Sequence, residues 1–287
     1  MLGIRSKKYK PYHIYCTFKP QNQTAMLKTF TVLFALIFTN CVYAQKGKVI
    51  LAVFAHPDDE ETVGPVLAKY AAEGANVYLM VATDGRYGTA EHAHIPAGDS
   101  LVAARKLEII CAAEQLGIHP PILLGLPDQL GVESKYYGGV WQSLDSVHKA
   151  FVTAMLTLKP DVVITWGPSG WTGHPDHRLV GDVVTEIFMT RRWQNNPKMY
   201  FEEMPTGSMP KDKPIFETVD SSFLTVRISL SAQDLAKGKA GWTCHHSQYT
   251  PAVVDMLHSA LWNPAKPVAY FRPLVYTGKM KYSLFEE

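Results

Sequence analysis

Two short runs of this chain concentrate residue types that bind metals and move protons. The first is His56-Pro57-Asp58-Asp59-Glu60-Glu61 and the second is His174-Pro175-Asp176-His177. His56 and Asp59 are three residues apart, so one tight turn can aim an imidazole and a carboxylate at a common point. That donor pair suits zinc. Asp58, between them, can face the same point without ligating. In the second run, one histidine would complete a three-ligand site and leave a fourth position open, the mark of a catalytic metal rather than a structural one. Asp58 is then placed as general base for an attacking water. His174 is free to donate to an oxyanion or a leaving group, with Asp176 to orient it. Taken singly, each run also reads as the polar start of a helix with proline in its first turn. That reading accounts for the acids but not for histidines in both places.

The elements that must position these runs are strands. Residues 49–55 are apolar throughout and read as a buried strand of a parallel sheet, with the first run where it ends. Residues 161–166 read as another such strand, joined to the second run by a loop over 167–173. In open α/β sheets ligands bind beyond the carboxyl ends of the strands, so both runs face one crevice. Helices are predicted over 60–74, 99–115, 143–158 and 174–190, and further strands over 76–83 and 121–124. This alternation predicts an α/β, three-layer Rossmann-like fold with a mostly parallel sheet. Beyond Arg192 the rhythm breaks. Residues 195–214 are rich in Pro, Gly and polar types, 215–219, 223–228 and 268–276 read as strands, and 231–241 reads as a helix. A decorated C-terminal third is expected, not a second domain.

The 287 residues are 47% hydrophobic and 19% charged, an ordinary globular composition. The formal charge of +2 hides an asymmetry. Residues 1–44 carry Arg5, Lys7, Lys8, Lys10, Lys19 and Lys28 and no acid, which leaves the remainder at −4. No nucleic-acid surface is expected. Met26-Leu27-Lys28, the apolar run 30–38 and Val42-Tyr43-Ala44 have the plan of a secretory signal, and the run is too short to span a bilayer. We read 1–25 as an upstream extension, Met26 as the start, and 45–287 as a single mature domain, secreted or periplasmic and without a transmembrane span. Lipidation at Cys41 is the lesser alternative, because Phe38-Thr39-Asn40 is a poor match before it. Cys111 and Cys244 remain in the mature part, where an oxidising compartment would permit a disulfide. They form neither a disulfide scaffold nor a thiolate metal site. Acids rather than a glycine-rich loop follow the first strand, which argues against a nucleotide-dependent enzyme.

The run Ala55 to Glu60, followed about 115 residues later by His174 to His177, resembles the LmbE/PIG-L-like family of zinc-dependent N-acetylglucosaminyl de-N-acetylases. Thr83-Asp84-Gly85, Arg105-Lys106-Leu107-Glu108, Pro127-Asp128 and His245-His246-Ser247-Gln248 fall in family order. The resemblance covers about residues 47–250. It implies that His56, Asp59 and His177 bind zinc, that Asp58 is the general base, and that His174, protonated, stabilises the oxyanion with Asp176 behind it. It also implies substrate contacts by Arg105, Asp128 and His245. Iron(II) suits the same donors. The implied reaction removes an N-acetyl group from an N-acetylglucosamine-type sugar or glycoconjugate. Arg86 departs from the family at a position often acidic. Tyr136, Tyr137, Trp141, Trp166 and Trp171 either line a sugar subsite or simply pack. The alternatives are a metal-dependent hydrolase of another amide or ester and a non-catalytic sugar-binding relative. Intact His56, Asp58, Asp59, His174 and His177 argue against the latter. A homo-oligomer is left open.

Overall fold

Runs of β-branched and apolar residues build the centre of the molecule. The computed structural model describes residues 45–130, 137–208, 216–263 and 265–286, except the side chains of 137–143. The expected signal segment lies outside them. The principal elements are β1 (Val49–Phe54), a 3-10 turn (Asp59–Thr62), α1 (Gly64–Ala72), β2 (Asn76–Thr83), α2 (Asp99–Leu116), β3 (Ile122–Leu126), α3 (Tyr137–Leu158), β4 (Val162–Trp166), α4 (Pro175–Thr190) and β5 (Lys198–Glu202). There follow β6 (Met204–Pro205), β7 (Thr218–Val219), β8 (Val226–Ser229), α5 (Ala232–Thr243), α6 (Pro251–Leu261) and β9 (Val268–Pro273).

The main sheet has the order β3-β2-β1-β4-β5-β9-β8. β1 to β5 are parallel, and β9 is antiparallel to both β5 and β8. This is the mostly parallel α/β sheet expected. Alternate residues of β1, and Ala55 just after it, enter different cores. Ile50, Ala52 and Phe54 pack with Val66, Leu67 and Tyr70, whereas Leu51, Val53 and Ala55 pack with Phe151, Val180 and Val184. Helices cover both faces, which is why β1 is apolar at every position. Strand order reverses between β1 and β4, whose register (Leu51 opposite Val163, Val53 opposite Thr165) sets their carboxyl ends level. That reversal makes the crevice in which such sheets bind ligands, and both His/Asp runs leave from it.

The structure differs from the expectation in detail. The helix predicted over 60–74 is divided, because Pro65 lacks an N–H and starts α1 afresh after the 3-10 turn. α3 begins at Tyr137, ahead of the expected 143. The strand expected over 215–219 shrinks to β7, which pairs with β6, and the last strand stops at Pro273. α6 was not expected; the Thr250 side chain caps it by accepting from the Val253 amide, and Pro251 sits in its first turn. A disulfide joins Cys111 of α2 to Cys244, just past α5. Among the described residues no helix is long and apolar enough to cross a membrane.

Candidate metal centre and catalytic cleft

Past β1 the chain turns sharply, and Asp59 fastens the turn. Its Oδ2 accepts from the Ala55 amide at 2.9 Å, the His56 amide at 2.8 Å and the Trp166 indole at 3.2 Å. With Oδ2 saturated, Oδ1 is the atom left to face the cleft. His177 Nε2 lies 3.1 Å from that Oδ1 and 3.1 Å from His56 Nδ1, and the third side of the triangle is 3.6 Å. A tetrahedral zinc ion with arms of about 2.0–2.1 Å sets its ligand atoms about 3.3–3.4 Å apart, so the triangle has the right size. The far nitrogens agree. His177 Nδ1 donates to the Gly170 carbonyl at 2.9 Å, and His56 Nε2 donates to Asp176 Oδ2 at 3.3 Å. Each ring is thereby held in the tautomer that presents a lone pair to the common point. Trp166 also stacks on His177, with centroids 4.5 Å apart and planes 8° from parallel.

His174 stands close by, its ligand-type atom within 4.8 Å of those of His56 and His177. The set containing Asp59 is tighter, and His174 Nδ1 is already taken, accepting from the Asp176 amide at 3.1 Å.

The charges ask for a cation. Burial opposes protonation of His56, but Asp59, Asp176 and Asp58 outweigh it and raise its pKa to about 10. Burial also opposes ionisation of Asp59, yet His177 and His56 hold it well below the usual carboxylate range. The donor set, its spacing, its tautomers and its surplus carboxylate charge all fit a divalent metal.

Asp58 is held in an unusual backbone, φ +143° and ψ −11°, of a kind that costs about 1–3 kcal/mol. Arg105 supports it. The guanidinium donates to Asp58 Oδ1 and to the Pro57 carbonyl, each at 2.7 Å, and to the Gly85 carbonyl at 3.2 Å. A Cβ on Gly85 would fall 2.5 Å from Arg105 Nη1, so the loop after β2 needs glycine there. The Tyr249 hydroxyl lies 3.4 Å from Asp58 Oδ2. Burial pushes the Asp58 pKa up, Arg105 partly offsets this, and Asp59 adds to the rise. A carboxylate so raised is a stronger base near neutrality.

The structure gives several of these side chains partners other than those expected. Asp176 does not orient His174 through its carboxylate. It sits in the first turn of α4 and reaches back across the crevice, accepting from the amides of Gln129 at 2.7 Å and Leu130 at 2.8 Å and from His56. It therefore orients His56. Burial, with His56 and His177 nearby, lowers the His174 pKa. Its Nδ1 accepts from the Asp176 amide, so an N–H offered to a substrate must come from Nε2. Asp128 lines the cleft, but its oxygens accept from the Gly85 amide at 2.7 Å and the Tyr87 amide at 2.9 Å, which fixes the loop after β2. His245 is fully buried and does not line the cleft. It pairs with Glu60 at 2.7 Å behind the 3-10 turn, because the end of α5 covers it. Trp166 and Trp171 are both buried and both line the cleft, and Trp166 in addition serves the candidate ligands. Tyr136 and the side chains of Tyr137 and Trp141 lie outside what is described. Arg86 grips Asp84 through two nitrogens.

The cleft holds about 320 Å³. Glu61, Gln248 and Tyr249 line it as well; the first two were named only as members of their runs, with no role in the site, and Tyr249 was not singled out from the sequence. Tyr249 directly follows the His245-to-Gln248 run, which was the available signal. Burial, with Asp58 and Glu60, pushes Glu61 well above the usual carboxyl range.

Residues 51–188 match the model of the PIG-L family, described as GlcNAc-PI de-N-acetylase. The 1D-myo-inositol 2-acetamido-2-deoxy-alpha-D-glucopyranoside deacetylase of Rhodococcus opacus is 37% identical over 150 residues, 47% of this chain and 51% of the relative. The enzyme of the same name from Mycobacteroides abscessus is 28% identical over 70% of this chain and 81% of the relative. The chain thus spans from half to four fifths of the length of these two relatives. The N,N'-diacetylchitobiose deacetylase of Pyrococcus horikoshii superimposes with a TM-score of 0.58 at 18% identity, over 91% of this chain and 95% of that one. The fold is also that of GalB, a 4-carboxy-2-hydroxymuconate hydratase of Pseudomonas putida, with a TM-score of 0.56 at 15% identity over 82% of this chain and 100% of that one. The fold alone therefore does not specify the reaction.

Proposed function

Residues 51–188 are a domain of the PIG-L family, and on that premise we propose that this protein is a metal-dependent hydrolase that removes the N-acetyl group from an N-acetylglucosamine conjugate. The observation that carries the reading is the triangle of His56 Nδ1, Asp59 Oδ1 and His177 Nε2 with Asp58 beside it. Those three side chains hold the metal. Zinc suits them best, and iron(II) suits the same donors. When bound, the ion supplies Lewis acidity, which makes water acidic near neutrality and polarises the acetamide carbonyl.

Asp58 takes a proton from the attacking water, and Arg105 keeps the carboxylate aimed. The His174 Nε2–H donates a hydrogen bond to the carbonyl oxygen as it gains negative charge. The carbon–nitrogen bond then breaks, the proton held by Asp58 passes to the leaving nitrogen, and acetate and an amine are released. Asp176, Trp166 and Gly170 keep the ligand atoms pointed inward.

We also propose that the protein works outside the cytoplasm. The Cys111–Cys244 disulfide supports an oxidising compartment, as does the signal-like run before residue 45. Zinc-loaded protein should release acetate from glycosides of N-acetylglucosamine, and a chelator should stop it. Failure to release acetate from any such glycoside, with metal bound, would overturn the reading.

A further inference from the structure

We propose that the cleft contains a second subsite, next to the reacting centre, for a hydrocarbon or aryl group of the substrate. The proposal rests on the de-N-acetylase reading above and goes on to the kind of conjugate. The cleft lining divides by element. The turn after β1, α2 and the loops after β2 and β3 supply polar groups, chiefly Asp58, Arg105, Asp128 and Gln129. The loop after β4, the residue Phe216, the end of α5 and the last turns of α6 supply Trp171, Phe216, Trp242, Leu257 and Leu261.

These five supply the apolar part of the lining, its carbon wall. The Trp171 and Phe216 rings are 4.0 Å apart. The indole nitrogens of Trp171 and Trp242 are buried, so the part of either ring that meets the cleft is carbon. Leu257 and Leu261 are four apart on one face of α6. Both are only half-buried, whereas Val254 of the same helix is fully covered. A polyol set against this wall would give up hydrogen bonds to water and receive none in return. An apolar group would lose nothing and release its hydration water. The conjugate this wall fits is less polar than the inositol glycoside named for the Rhodococcus relative. The apolar group is attached either at the anomeric oxygen of an N-acetyl substrate or as a longer acyl chain on nitrogen, in which case the same centre releases that longer acid in place of acetate. These two sources share the chemistry, and separate arms of the test distinguish them.

The probes are N-acetylglucosamine, its methyl and phenyl glycosides, its inositol conjugate, and N-butyryl and N-hexanoyl glucosamine. Turnover is measured on zinc-loaded protein. Binding is followed separately by tryptophan fluorescence on Asp58→Ala protein, which does not depend on catalysis. The expected result is at least about tenfold tighter binding of the phenyl glycoside, or of the N-hexanoyl compound, than of the methyl glycoside. Whichever arm responds locates the group. Leu257→Ser and Leu261→Ser should each collapse that preference. Equal binding of all the probes within twofold would overturn the subsite even if acetate is released from each. A tenfold preference without hydrolysis of any probe would leave the subsite standing and sink the de-N-acetylase reading.

Discussion

Asp176 offers the sharpest test of how the centre is assembled. Its carboxylate serves three donors: Oδ1 meets the Leu130 amide at 2.8 Å, and Oδ2 meets the Gln129 amide at 2.7 Å and His56 Nε2 at 3.3 Å. Asparagine offers one acceptor oxygen and one NH2. Placing the NH2 at the Oδ2 position would set it against two donors, so it will turn to Leu130 and meet one. Asp176→Asn therefore leaves His56 an acceptor, but a neutral one. Asp176→Ala leaves it none. Loss of such a partner weakens metal binding by about 10- to 100-fold, or about 1.4 to 2.7 kcal/mol. We expect Asp176→Asn near the lower figure and Asp176→Ala near the upper. Zinc competition against a chromogenic chelator reads the affinity, and thermal melting checks the fold. If both variants bind zinc within twofold of wild type while turnover falls, Asp176 acts on His174, as the spacing of the motif implies, and the reasoning from geometry fails.

Other predictions follow from single features. The His56 pKa of about 10 means that metal-free protein at pH 8 carries a proton there that zinc displaces. Calorimetry in buffers of different ionisation enthalpy should show about one proton released per zinc, and heats independent of buffer would contradict this. Because that pKa is raised on folding, its stabilising effect is full below the unfolded value of about 6.5 and is lost as pH rises towards 10. The melting temperature of metal-free protein should fall across that window. The disulfide spans 133 residues, for which the chain-entropy model sets a ceiling of about 5 kcal/mol and experience gives about 2–4 kcal/mol. Urea unfolding of Cys111→Ser/Cys244→Ser protein should show a loss of that size, and a change under about 1 kcal/mol would refute it. The positive φ of Asp58 predicts that Asp58→Gly protein is more stable than Asp58→Ala protein by about 1 kcal/mol in the same assay. Equal stability would mean that the backbone there is unstrained.

The parts of the fold legible in the sequence are those set by local pattern. Val49 to Phe54 is apolar at every position because both faces of β1 are covered, and the alternation of strands and helices announces a parallel sheet. The His/Asp runs were legible because no helix start accounts for paired histidines at two strand ends. What the sequence hid depends on register. Asp176 and His56 are 120 residues apart, and only the level ends of β1 and β4 reveal that one holds the other. Trp166 reads as an aromatic of any kind until its indole is seen on Asp59. Cys111 and Cys244 become neighbours through the packing of α2 against α5. α6 was a different kind of omission, since Thr250-Pro251 and the spacing of Val254, Leu257 and Leu261 mark it locally.

The central claim is that His56, Asp59 and His177 hold a metal while Asp58 performs the chemistry beside it. Metal content and acetate release from an N-acetylglucosamine glycoside, measured on the same preparations of wild-type and Asp58→Ala protein, test it most directly. The account predicts one metal ion per chain in both proteins, with acetate released by wild type alone. Wild-type protein that takes up no metal after loading, or an Asp58→Ala protein that releases acetate at the wild-type rate, would contradict it.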